Sequence, residues 1–80
     1  MNLEKIQLKG MLAEAKKNYN ALDTEASGIV ILLRANISPY VDVINIDTEK
    51  VSTLTHRLHK ICNEMKILSE KIKKIEAEFE

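Results

Sequence analysis

His56, His59 and Cys62 are the residues of this chain whose types and spacing could do chemistry. Two imidazoles and a thiol are transition-metal ligands, and steps of three set each about 60° around a helix from the next, within two turns. The spacing departs from the usual zinc fingerprints, however, and a complete site would need a fourth ligand from another chain. A nucleophilic Cys62 would need a base and a pocket that excludes water, which one straight helix does not offer. No glycine-rich phosphate loop, serine elbow or pair of inward carboxylates occurs elsewhere. These residues therefore read as a non-enzyme with no cofactor and no metal. His56, His59 and Cys62 are its weak metal candidates, and the two histidines are candidates for a pH-sensitive patch.

The element that carries the triplet is defined by a heptad seam. Val51, Leu54, Leu58, Ile61, Met65, Leu68, Ile72, Ile75 and Phe79 recur at alternating steps of three and four, as in a helix built to lie against other helices. Asp47 can cap its first turn, Glu49 suits the positive end of the helix dipole, and Ile46 with Val51 forms a hydrophobic staple. The seam leaves both histidines on the outward face and Cys62 on its flank, with Ile67 the one large apolar residue facing outward.

A second seam precedes it: Leu8, Leu12, Ala15, Tyr19, Leu22, Ala26, Ile29 and Leu33 follow the same alternation. Gly10 and Gly28 each cost this helix about 1 kcal/mol relative to alanine. Its weakest stretch is Ser27 to Ile31, where three β-branched residues after a glycine would also suit a strand. Ser38-Pro39 stops the helix, and Tyr40 to Ile46 reads as an extended, partly buried connector. The pattern predicts an all-α fold, an antiparallel two-helix hairpin of coiled-coil type. It forms one domain over 1–80, with helix 1 at about 3–35, the connector at about 36–46 and helix 2 at about 47–79.

Twelve basic and twelve acidic side chains cancel, so no net field draws nucleic acid or an anionic membrane. Lys66, Lys71, Lys73 and Lys74 are interleaved with Glu64, Glu70, Glu76 and Glu78. Glu70 and Lys74 stand in the favourable four-step order for an ion pair on a solvated face. The longest uninterrupted apolar run, Ile29 to Leu33, is five residues, against about 20 for a membrane span. A single cysteine and the lack of a signal-like leader make a reducing cytoplasm the expected compartment.

A lone hairpin leaves half of each seam side chain in water. Val30, Ile31 and Leu32, with Ile37, Tyr40, Val41, Val43, Ile44 and Ile46, also crowd one end and call for a cover. The expected partner is a second copy, giving a homodimeric four-helix bundle. Its expected interface is Ile29, Leu33, Val51, Leu54, Leu58, Ile61, Met65, Leu68, Ile72 and Ile75. Ile67 and Ile6 would lie at similar height and mark a further contact surface.

The Asn2 to Leu8 start, the leucine-rich Ile31 to Pro39 turn and the capped heptad helix from Asp47 to Phe79 together resemble short helical proteins of bacterial prophage and mobile-element cassettes. The resemblance implies such an origin and carries no site residue. The leading functional reading is a non-enzymatic protein-interaction or scaffold module. An alternative is a nucleic-acid-associated regulator whose basic side chains gather on one face after assembly. A third, prefoldin-like reading makes the connector a β-hairpin and the helix tips a grip for unfolded clients.

Overall fold

The computed structural model describes residues 3–79. Helix α1 spans Leu3–Asn36 and helix α2 spans Thr48–Ala77, joined by a connector that holds one short 3-10 turn, Val43–Asn45. The two helices pack along one another as an antiparallel hairpin, a rod of 63 × 16 × 14 Å. Its radius of gyration is 18.1 Å, against about 12 Å for a compact domain of this length.

The two helix boundaries at the connector each have a local cause. The Asp47 carboxylate accepts a hydrogen bond from the Lys50 amide at 3.1 Å, and the Asp47 carbonyl accepts from the Val51 amide at 3.0 Å. The cap thus satisfies an amide that the first turn would otherwise leave free. At the end of α1 the Asn36 side-chain amide donates back to the Leu32 carbonyl at 2.7 Å, while the Ile37 amide donates to the Leu33 carbonyl at 2.9 Å. Pro39 follows and offers no amide to continue the ladder. Through Ser27 to Ile31 the helix runs unbroken. Helical geometry therefore prevails over β-branching there, because Ile29 is held in the core.

Both seams face inward. Ala26 and Ile29 of α1 close over Ile61 of α2, which is 0 % exposed, and Leu22, Leu33, Leu54, Leu58 and Met65 pack around them. Ala15 and Ile75 are buried nearer the open end. Alanine at two of these inward positions suits a close approach of the helices, while isoleucine fills the space opposite.

Four expectations change. The connector is a pair of tight turns with no strand, and only Val41 and Ile46 among its apolar residues are half-buried. Phe79 lies beyond the last residue of α2 and is exposed. Ile6 and Ile67 are not level: Ile67 shares a hollow with Asn18 to Leu22, and Ile6 is a dozen residues further down α1, about 18 Å at 1.5 Å per residue. Glu70 and Lys74 are not among the ion pairs of the described residues, whose charged ties run between the helices instead.

Candidate interaction surface

The closed end of the hairpin is held by its own backbone. The Val41 amide donates to the Ser38 carbonyl at 3.0 Å, the Asn45 amide to the Asp42 carbonyl at 2.8 Å and the Ile46 amide to the Val43 carbonyl at 3.2 Å. The Tyr40 amide donates to the Ser38 hydroxyl at 3.2 Å. Two successive turns this tight have no interior, so Tyr40, Val43 and Ile44 stand 94 %, 84 % and 91 % exposed. Ile31, Leu32 and Ile37 extend the apolar surface onto the end of α1. From Ala35 to Ile46 the one charged residue is Asp42. A group of exposed apolar side chains with little charge among them, at the end of a rod otherwise rich in charge, has the composition of a contact surface.

The two flanks of the rod differ. One carries an open hollow of about 520 Å³ whose walls include Ala26, Val30, Ile31, Leu58, Cys62 and Met65. The other carries a hollow of about 430 Å³ formed by Asn18, Ala21, Leu22, Glu64, Ile67 and Leu68, continued past Ile67 by a second between Met11 and Ile75. On this second flank Arg57 grips Glu25 with two hydrogen bonds, Nε to Oε2 at 2.8 Å and Nη2 to Oε1 at 3.0 Å. Those bonds hold the Glu25 carboxyl below its ordinary range and push the Arg57 guanidinium up. Lys16 and Glu76 meet at 3.4 Å nearer the open end. Both ties link α1 to α2 across the antiparallel pairing, and both are exposed, so their contribution to stability is small.

His56 and His59 are exposed, and Cys62 is half-buried. Within hydrogen-bond reach of the His59 Nε2 is the Asn63 side-chain amide, at 3.3 Å, while Cys62 lines the flank hollow. Among the described residues no group of three or more His, Cys, Asp or Glu side chains converges as a metal site.

The residues expected at the oligomer interface divide in two. Ile29, Ile61 and Ile75 are closed off inside the single chain and have no surface to give a second copy in this arrangement. Leu33, Val51, Leu54, Leu58, Met65, Leu68 and Ile72 are half-buried and keep an outward edge. The Glu25–Arg57 clamp was not anticipated. Its signal was the shared flanking heptad position of the two residues, which antiparallel pairing brings face to face. No helix among the described residues is long and apolar enough to cross a membrane. The chain matches no family model, no curated protein and no solved structure.

Proposed function

We propose that this chain is a non-enzymatic interaction module: a helical hairpin that pairs with a second copy into a four-helix bundle and uses its apolar tip to hold a segment of a partner protein. The observation that carries the reading is the tip itself. Tyr40, Val43 and Ile44 are almost wholly exposed on a backbone that is fully folded, so they are presented rather than left over from disorder. A largely apolar surface with Asp42 as its one charge favours an apolar segment, since most charged groups docked on it would lose hydration with little to replace it.

Pairing is supported by the thinness of the core. Ala15, Ala26, Ile29, Ile61 and Ile75 are the buried residues among those described, and most seam side chains keep an edge in water. A second hairpin laid along the first covers those edges. Sedimentation equilibrium tests it: the expected mass is that of a dimer of the 9.1 kDa chain, and a folded monomer at micromolar concentration would sink the reading.

A further inference from the structure

Lys66, Lys71, Lys73 and Lys74 alternate with Glu64, Glu70, Glu76 and Glu78 along the sequence, but the helix sorts them onto different faces. Glu76 is drawn across to Lys16 of α1 at 3.4 Å. Glu64 lies beside Asn18 and Ala21 in the hollow between the helices, and Lys71 and Glu78 likewise share hollows with Gln7 and Met11 of α1. These side chains belong to the flanks of the rod.

What remains on the side of α2 turned away from α1 is basic. Lys66 and Lys73 are seven residues apart and Lys60 and Lys74 fourteen, so each pair stands on one line of the helix. The two lines border the outward side, about 100° apart, and all four lysines are exposed. Neither ion pair of the described residues includes any of them. From Lys60 to Lys74 the one acid on this side is Glu70, so the face sets four positive charges against a single negative one. The outward side of α1 has no counterpart, since its basic residues Lys17 and Arg34 stand seventeen positions apart.

The charges of the whole chain cancel, yet at the ionic strength of a cell a charge acts over only about 8 Å. The rod is 16 and 14 Å across. A partner lying on α2 therefore meets this face and not the acids behind it.

We propose that the outer face of α2 binds the phosphate backbone of duplex nucleic acid, without regard to sequence. From Lys60 to Lys74 the helix runs about 21 Å, and that length of duplex carries about twelve phosphates, so each lysine finds one without a fixed register. No arginine stands among the lysines to read a base edge, and contact stops at the phosphates. The aromatic residues Tyr19, Tyr40 and Phe79 all lie elsewhere, which leaves no platform for stacking the bases of a single strand. Ile67 is the one large apolar residue of the face, too little to anchor it in a lipid surface. Lysine is also depleted at the centre of protein contacts, which argues against an acidic protein. The face lies opposite the seam, so it stays outward whether the hairpin is single or paired.

The test is fluorescence anisotropy of a labelled DNA duplex titrated with the full chain at several salt concentrations. With four phosphate contacts a fourfold rise in salt weakens binding about 150-fold, and with two contacts about 12-fold. The intact chain should follow the first course on two duplexes of unrelated sequence, and a chain carrying Lys66→Gln and Lys73→Gln the second. Glu70→Gln removes the one acid of the face and should tighten binding severalfold. Lys9→Gln with Lys17→Gln lowers the net charge equally on α1 and should leave affinity as it was. All these residues are exposed, so helix content by circular dichroism should hold. Sedimentation with vesicles of mixed phosphatidylcholine and phosphatidylserine tests a lipid surface in parallel. An absence of binding at low salt, equal weakening by the α1 pair, or capture by the vesicles without binding to the duplex would overturn the proposal.

Discussion

Along α1 and α2 the seam residues recur every third or fourth position and turn inward, whereas in the eleven residues between the helices apolar residues are denser and most, Val41 and Ile46 apart, turn outward. Ile61 and Ile44 make the contrast plain, since the same side chain is wholly buried in the rod and 91 % exposed at the tip. Hydrophobicity is equal in the two places, and geometry differs. A helix presents a face to which a second helix can be matched, so each seam residue meets a neighbour from the other strand of the hairpin. Two consecutive tight turns close their own hydrogen bonds but enclose no volume. Burial therefore tracks what stands opposite a residue, and the tip has nothing opposite.

Substitutions in the two regions should separate by size of effect. Ile61→Ala should cost about 2–5 kcal/mol, because it removes buried methyl groups and leaves a cavity that the surrounding helices fill only partly. Chemical denaturation followed by helix signal measures it, and a loss below about 0.5 kcal/mol would erase the distinction between rod and tip. Ala26→Leu should cost about 1–3 kcal/mol by overpacking the point where the helices approach. Gly28→Ala should stabilise by about 0.5–1 kcal/mol, since a Cβ there meets no atom within 4 Å. A raised melting temperature would confirm that this position serves the helix alone. Ile44→Ser should leave the melting temperature within the scatter of surface substitutions, about 0.5 kcal/mol in stability, while weakening attachment of apolar ligands to the tip.

A pH series sharpens the comparison from the charged side. The Glu25 carboxyl is held below its ordinary range by its hydrogen bonds to Arg57. Its contribution to stability is complete above the ordinary glutamate range and is lost as pH falls through the lowered value. Glu25→Gln should therefore match the wild type most closely in acid and fall behind it as pH rises towards neutrality, with the gap narrowing in high salt. An unchanged gap from acid to neutral pH would show that the clamp acts through packing rather than charge.

Much of the rod was legible beforehand. The seam residues from Leu8 to Leu33 and from Val51 to Ile75 are all buried or half-buried, because a strict heptad period leaves one stripe to face a partner. The Asp47 cap could be read for a similar reason, since a carboxylate before a helix has few better acceptor roles than the amides of the first turn. Features that depend on three-dimensional register were harder to see. The heights of Ile6 and Ile67 were misjudged because they depend on how the connector turns, and alternation at Val41 to Val43 gave no sign of a 3-10 turn. The Glu25–Arg57 clamp requires knowing that residue 25 lies level with residue 57, a relation between helices that neither helix encodes alone. The apolar tip was visible as composition, but its full exposure was not.

The short connector also sets an order of assembly. Interhelical pairs near the tip, such as Glu25 with Arg57, are separated by 32 residues, whereas Lys16 and Glu76 near the open end are separated by 60. Closing the longer loop first costs only about 0.6 kcal/mol more chain entropy, yet once the inner pairs are made each outer pair forms almost locally. The hairpin is then expected to fold as a zipper that starts beside Pro39 and runs towards the termini. The two ends of one rod are thus expected to differ in lifetime as well as in chemistry, the apolar tip sitting on the segment that closes first and opens last, which amide hydrogen exchange along α1 and α2 would measure.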